Sequence, residues 1–468
     1  MKRYSNYEFI SARWYNQIPI HWHLIRIKDL ISQSNAGAWG DDPETDNGTI
    51  CLRVADMDFN LGVFKNKPVS VLTKRLYTEE QIEKLTLEQG DILIEKSGGG
   101  EKSPVGRSVY FDKSYPALFA NFMQKIRFKH KLIDAHFASY LLRTMYYRGA
   151  TWYYVKQTTG IQNLDLNSML AQERFPVPPR EEQDQIVRYL DWQVSKINRL
   201  IAAKKKQIQL LLAKKHAVAA DYVTHGLRPN VAVKDSGVNW LGTIPAHWSI
   251  RKLRTLLKPF SEKNRPDLPL LSVVREKGVI VRDVEDTENN HNFIPDDLSG
   301  YKVVHENQFV INKMKAWQGS YGIAPCDGIV SPAYFIFDID FENLVYFHYA
   351  IRSKVYVNFF AQASDGIRVG QWDLSINKMK NIPFIVPPAA EQDEIVSYIK
   401  AETASIEKAI TTIEKQIDTL EDLRTRLISD VVTGQVDVRG IKVPDDEYIN
   451  NEITEEEFEE ESENNEEE

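Results

Sequence analysis

Apolar residues recur every seven positions late in the chain, at Ile399, Ile406, Ile413, Leu420 and Leu427, with Ile410 and Ile417 widening the stripe. The pattern also stands 209 residues earlier, as Leu190, Ile197, Lys204, Leu211 and Val218, with Ile201 and Ile208 beside them. A heptad stripe of this length predicts a coiled-coil seam, and about 40 residues at ~1.5 Å each predict helices of ~60 Å. Such a stripe has to be covered, and the other copy is the most available cover. Lys204, polar within its seam, favours one register.

The segment ahead of each helix is repeated at the same offset. Val177-Pro178-Pro179, Glu182-Gln183-Asp184, Ile186-Val187 and Tyr189 return as Val386-Pro387-Pro388, Glu391-Gln392-Asp393, Ile395-Val396 and Tyr398, nine identities in thirteen positions. Prolines close an extended run, acids and Gln fill the first turn, and the apolar period follows: a helix start. The first helix is expected to close near Val223-Thr224-His225-Gly226 and the second near Val432-Thr433-Gly434.

Strand-like apolar runs occupy the blocks before the helices. In residues 24–176, Ile50–Val54, Asp91–Ile94 and Ser108–Phe111 read as strands between Gly, Pro and Asp punctuation. Residues 134–148 read as a helix capped by Asp134. Residues 249–385 repeat the plan: Gln308–Lys313 stands where Asp91–Lys96 does, and a helix is expected over 341–360. Trp14, Ile18-Pro19, His21 and Trp22 return at an offset of 226 as Trp240, Ile244-Pro245, His247 and Trp248. Two Trp and a Pro in so short a span predict an anchor packed on a larger surface, and neither His has an acid near it in sequence. Residues 227–240 read as a connector.

Composition narrows the classes. A chain of 468 residues exceeds one core, so two or three domains are expected. Cys51 and Cys326 are the only cysteines, which excludes a disulfide framework or a zinc ribbon. No apolar run reaches the ~20 residues of a membrane span and no signal region opens the chain, so a cytoplasmic protein without membrane contact is expected. The net charge of −8 hides an asymmetry, because residues 445–468 carry fourteen acids and no Lys or Arg, leaving +6 on residues 1–444. A mildly basic body permits a polyanionic partner, and the acidic tail is expected to be disordered.

No Walker motif or strand-linked Gly-x-Gly supports a nucleotide site. Asn381-Ile382-Pro383-Phe384 only faintly resembles the catalytic Asn-Pro-Pro-Tyr of adenine methyltransferases, and neither Glu95-Lys96 nor Glu101-Lys102 has a nuclease acid-x-Lys spacing. No catalytic residue and no metal site is expected. What remains is loops suited to nucleic acid. Lys96, Ser97, Gly98 and Gly99 lead through Lys102 to Arg107, offering backbone N–H groups and charge to a phosphate. Lys313, Lys315, Trp317 and Gln318 occupy the matching strand end of the second block. Lys156, Gln157, Thr158, Gln162 and Asn163 in the first block answer Arg368, Gln371 and Trp372 in the second. Gln and Asn bond adenine, Arg bonds guanine, and Trp stacks on displaced bases, so all are candidate DNA contacts. A flexible turn or ordinary loop polarity is the competing explanation of each. The runs Lys204–Lys206 and Lys214-Lys215 read as solvated faces.

With the two Ile-Pro-x-His-Trp segments, Ile94–Gly99, Thr159–Leu164, both Val-Pro-Pro…Glu-Gln copies and Ser236–Gly242 in view, the chain resembles the specificity (S) subunits of type I restriction–modification systems. The resemblance covers residues 10–440, all but the acidic tail. It implies an α+β fold of two pseudo-repeated mixed α/β target recognition domains separated by two long antiparallel coiled-coil helices. The boundaries expected are 1–178 and 227–387 for the domains (the latter with its connector), 179–226 and 388–436 for the helices, and 437–468 for the tail. It implies a non-catalytic subunit that reads a bipartite target in double-stranded DNA. Two methyltransferase (M) subunits and restriction/translocase (R) subunits would dock on it, using S-adenosylmethionine, ATP and Mg²⁺ that this chain does not bind. The competing classes are a stand-alone DNA methyltransferase or nuclease and a scaffold that binds no DNA.

Overall fold

A computed structural model describes residues 2–43, 47–100, 103–158, 161–228, 230–238, 241–275, 277–282, 284, 294–295, 297–366 and 372–444, with only the backbone of Thr158. Its frame is two long helices, Arg180–His225 and Ala389–Val432. They start directly after Pro179 and Pro388, whose fixed φ and missing N–H suit a helix start. Gly226 and Gly434, both at positive φ, follow their ends.

The helices run antiparallel. Lys215 pairs with Glu407 at 2.7 Å, Lys204 donates to Gln416 at 2.7 Å, and Arg424 donates to Asn198 at 2.6 Å. As the number falls along one helix it rises along the other. Lys204, half-buried, is thus tied across the helix pair by one exposed bond to an amide. The heptad stripe divides in a way its period does not announce. Ile201, Ile413 and Ile417 are buried between the helices, with Ile197, Ile208, Leu211 and Leu420 packed on them. Leu190 and Leu427 lie instead in the core of the first domain, and Ile399 in that of the second. Ile406 is buried and Val218 half-buried. The ends of the stripe face domains because the domains pack across the helix ends.

Both domains are built on the same four antiparallel strands. In the first the order is Ile31–Ala36, Met123–Phe128, Ile92–Glu95, Ser108–Tyr110, and in the second Leu257–Phe260, Tyr334–Ile339, Phe309–Asn312, Tyr321–Ile323. The central strands, Ile92–Glu95 and Phe309–Asn312, are buried throughout, as their unbroken apolar runs require. Additional strands beyond this core differ: the first sheet continues through Val63–Phe64 to Met57–Asp58, and among the described residues the second does not.

A helix capped by Asp134, Ala135–Tyr147, covers the first core. The helix expected over 341–360 is two, Leu344–Ile351 and Lys354–Gln362, with extended backbone at Ser353. No Pro or Gly marks this break. Both pieces bury their apolar faces in the same core, and Arg352 at the break donates to the carbonyls of Tyr321 at 2.6 Å and Arg275 at 2.8 Å.

The two repeated motifs meet in each domain. His23–Arg26 pairs with Arg174–Val177, and Ser249–Lys252 with Pro383–Val386, so each Ile-Pro-x-His-Trp segment lies beside the following Pro-Pro turn. The acid missing near each His in sequence is supplied there. Glu182 accepts from Tyr4 at 2.6 Å and from Trp22 at 3.2 Å and bonds His21 at 2.8 Å. Glu391 bonds His247 at 2.7 Å and accepts from Trp248 at 3.0 Å. The adjoining Gln183 and Gln392 donate to the carbonyls of Pro178 and Pro387. The repeated His, Trp, Glu and Gln therefore find their partners within the same joint.

The antiparallel frame braces each joint a second time. A Cβ on Gly434 would come within 2.4 Å of Pro19, and one on Gly226 within 3.0 Å of Trp248. The first domain is thus held at the start of the first long helix and the end of the second, and the second domain at the reverse pair. Residues 227–240 are more than a connector, since Val233–Asp235 is a strand on Thr243–Pro245. The tail begins later than residue 437: Val438 is fully buried, Val436 is buried, and Gln185 donates to the carbonyls of Val438 and Ile441. Residues 445–468 lie outside the described residues.

Candidate nucleic-acid interface

In the first domain the central strand runs out at Glu95, and the chain turns into Ser97–Gly98. That short strand pairs with Ile161–Leu164, which pairs with Val155–Thr158. The segment expected as a loop over 156–164 is therefore a hairpin, and the structure merges it with the glycine turn into one ribbon. Ser97 and Asn163 face each other, joined Oγ to Oδ1 at 2.7 Å, and Asn163 also opposes Lys156. Asn163, Gln157 and Lys156 are exposed, while Lys96, Ser97, Gly98 and Gly99 are half-buried. Gly99, at φ +66°, leaves room for the Gln162 amide, which a Cβ would meet at 2.9 Å. Gln162 is consequently buried; its amide donates to Gly100 O and its oxygen accepts from Val105 N–H at 3.2 Å. It shapes the turn rather than presenting an edge.

Lys156 is tied to Asp165 at 2.7 Å, and that bond, with the Ser168 N–H, holds the Asp165 carboxyl below the usual carboxylate range. Arg107, expected on the surface, is 8% exposed. Its guanidinium bonds both oxygens of Glu95 at 2.9 and 3.1 Å and lies over the Phe59 ring at 3.9 Å. The antiparallel register of Ser108–Tyr110 on the central strand brings Arg107 against Glu95, and a charge so matched is a structural element of the turn.

The second domain builds its tip differently. Asn312 ends the central strand, and a one-turn 3-10 helix, Ala316–Gln318, closes on Gly319 at φ +96°. Lys313 bonds Asp373 at 3.0 Å and its carbonyl accepts from Leu374 N–H, which docks the hairpin Ser364-Asp365/Asp373-Leu374 beside it. Trp317 and Trp372 pair with ring centroids 5.2 Å apart, both half-buried, with Lys315 and Gln318 half-buried nearby. Burial, then the neighbouring Lys263 and Lys313, lower the pKa of Lys302, so three ammonium groups share one field here. Lys102, Arg368 and Gln371 lie outside the described residues, as does the Thr158 side chain.

The structure thus brings Lys96, Ser97, Gly98, Gly99, Lys156, Gln157 and Asn163 onto one ribbon, and Lys313, Lys315, Trp317, Gln318 and Trp372 onto one turn. It sets Arg107 and Gln162 beneath the first. Sequence reasoning missed Phe122, whose carbonyl accepts from Lys96 N–H at 2.8 Å and Ser97 N–H at 3.2 Å while 48% of the residue is exposed. It also missed Met314, 49% exposed at the second tip. The signal available for both was a large apolar residue in a turn between two strands. Asn381–Phe384 is structural: Phe384 is fully buried and the Ile382 carbonyl accepts from Leu253 N–H. Among the described residues no group of three or more His, Cys, Asp or Glu could hold a metal ion, and no helix is long and apolar enough to cross a membrane.

Residues 19–210 match a family model described as the type I restriction modification DNA specificity domain. The type I restriction enzyme MjaX specificity subunit of Methanocaldococcus jannaschii is 22% identical over 432 residues, covering 90% of this chain and 95% of the relative. The MjaVIII specificity subunit of the same organism is 22% identical over 456 residues, covering 91% and 95%. Among solved structures, a chain from work on complex assembly and conformational transition of the type I R-M system has a TM-score of 0.50 at 12% identity. That alignment covers 90% of this chain and 99% of the other, a likeness of fold.

Proposed function

We propose that this chain, which belongs to the specificity-subunit family of type I restriction–modification systems, reads a two-part DNA target and hands it to partner subunits for adenine methylation or cleavage. The observation that carries this reading is the pairing of one repeated frame with two unlike tips. Each domain is fixed by the same joint at opposite ends of the helix pair, and each ends in a different set of amide, ammonium and ring groups at the same strand end. A frame held constant while its tips differ is what reading two unlike half-sites requires, since base edges are told apart by donor and acceptor pattern.

The first tip reads through Gln157 and Asn163, with Lys96 and the glycine turn toward the backbone. The second reads through Lys313, Lys315, Gln318 and the Trp317–Trp372 pair, with Arg368 and Gln371 as further readers on sequence grounds. The chain performs no chemistry itself. Two methyltransferase subunits dock on the helix frame and supply S-adenosylmethionine chemistry, and restriction/translocase subunits supply the ATP- and Mg²⁺-dependent step. The chain works in the cytoplasm with them.

The body carries only +6, so the isolated chain binds specific DNA weakly and the partners neutralise most phosphates. The test is the methylated motif in genomic DNA from cells expressing this chain with its methyltransferase partners. A bipartite motif, with Trp317→Ala altering one half alone, is expected. A motif altered in both halves by that substitution overturns the assignment of separate heads. Absence of salt-dependent DNA affinity in the assembled complex favours a protein-binding scaffold instead.

A further inference from the structure

The first tip carries one large apolar side chain that the fold leaves half uncovered. Phe122 sits in the turn before Met123–Phe128, and its carbonyl takes the N–H groups of Lys96 and Ser97. Two backbone bonds to the ribbon fix where the ring stands. Across the surface the order is Phe122, Ser97, Asn163, Lys156, each beside the next. Strands lie ~4.8 Å apart, so this row spans roughly 14 Å, about four base-pair rises of 3.4 Å. The row is polar except at its Phe122 end.

We propose that Phe122 reads thymine: the exposed part of its ring contacts the C5-methyl group of a thymine at one end of the first half-site. The inference rests on the DNA-reading function proposed above. In the major groove the thymine methyl is the one apolar group among the base edges, and an apolar side chain is its complement. Asn163, next but one along the row, is a group that bonds base edges, which places the ring beside a major-groove reader. Insertion between base pairs needs a side chain that stands clear of the protein. Phe122, 48% exposed on a doubly bonded backbone, offers an edge and not a whole ring.

The experiment uses the chain assembled with its methyltransferase partners and duplexes carrying its own methylated motif. Each thymine of the first half-site is replaced in turn by deoxyuridine, which removes the methyl group and keeps every hydrogen-bonding atom. One position, at an end of the half-site, is expected to weaken binding about fourfold, the equivalent of ~0.8 kcal/mol for one methyl-sized group. Phe122→Ala is expected to bind the thymine and uracil duplexes equally, and Phe122→Leu to keep part of the difference. A first half-site with no thymine on either strand, or no uracil-sensitive position, overturns the proposal. So does a Phe122→Ala complex that still discriminates, or 2-aminopurine brightening beside the site, which reports ring insertion. Gln157→Ala and Asn163→Ala separate the two levels. If they change the half-site while uracil is silent, the role of Phe122 alone falls; if they leave the half-site unchanged, DNA reading by this domain falls with it.

Discussion

The first domain ends in a glycine turn laced into a three-stranded ribbon, whereas the second ends in a single 3-10 turn whose Trp317 leans against Trp372 of the neighbouring hairpin. Below the tips the two are nearly interchangeable: four strands in one order, a capped helix over them, and a His–Trp–Glu joint to the helix pair. The difference shows where packing stops dictating residues. Ile94 and Ile311 are fully buried and face the same constraints, but two or three residues later the chain leaves the core and each domain goes its own way. Even the joints are graded. Glu182 is 6% exposed and satisfies three side chains, while Glu391 is 14% exposed and satisfies two.

That grading gives the largest expected effect. Glu182→Ala strands the buried Tyr4 and Trp22 donors as well as His21 and should cost the first domain about 3 kcal/mol, against about 1–2 kcal/mol for Glu391→Ala in the second. Hydrogen exchange over residues 14–26 and 244–252 reads the two joints separately. Equal losses would mean that the joints are equivalent and that Tyr4 adds nothing.

Next in size is discrimination at the tips. Asn163→Ala and Gln318→Ala should each relax one half of the methylated motif by about 1–3 kcal/mol and leave the other half unchanged. Arg107→Ala should behave otherwise, because it removes the guanidinium that bonds both oxygens of the buried Glu95 carboxylate. It should lower the first domain's melting temperature and weaken all sequences alike. A motif altered by Arg107→Ala in a domain of unchanged stability would return that residue to the DNA surface.

The contrast between joint and tip also marks what the residues could announce in advance. Repeats at a fixed offset announced the helices, their Pro starts and their Gly ends, because each depends on a few neighbouring residues. The Glu182 partners of His21 and Trp22 were hidden because acid and imidazole lie 161 positions apart and recur at different offsets, 209 and 226. The break at Arg352-Ser353 was hidden because its cause is tertiary, an arginine drawn to the carbonyls of a strand residue, Tyr321, and a turn residue, Arg275. Arg107 and Gln162 looked like surface readers because their polarity was visible and the strand register that buries them was not.

A smaller difference should appear on acidification. Burial, and then Arg352, Lys215 and His216, pull the His348 imidazole of the second domain down to about 4. Between that value and the ordinary ~6.5, the unfolded chain takes up a proton that the folded domain refuses, so stability falls as pH falls through this window. His348→Asn should flatten the loss. An unchanged pH profile of the second domain's melting in that variant would assign the acid sensitivity elsewhere.

The least costly perturbation is one of distance, and it distinguishes a braced frame from a simple ruler. Adding four residues to the second helix alone, between Pro388 and Glu391, would lengthen the spacer only if the second domain hung from that helix. It is also held at Gly226, where Trp248 packs on the end of the first helix. A single insertion therefore works against the other brace, and the spacing of the methylated motif should stay as it is, with reduced stability. Four residues added to both helices, beyond Lys206 in one and beyond the facing Glu414 in the other, lengthen both braces together by ~6 Å. At 3.4 Å per base pair that is one or two further unread positions. The accompanying ~40° of helix rotation is near the ~34–36° twist of one base pair, so both half-sites stay in reach. Genomic methylation by the two insertion variants decides it. If the single insertion alone lengthens the spacer, each domain follows one helix, and the second brace carries no load.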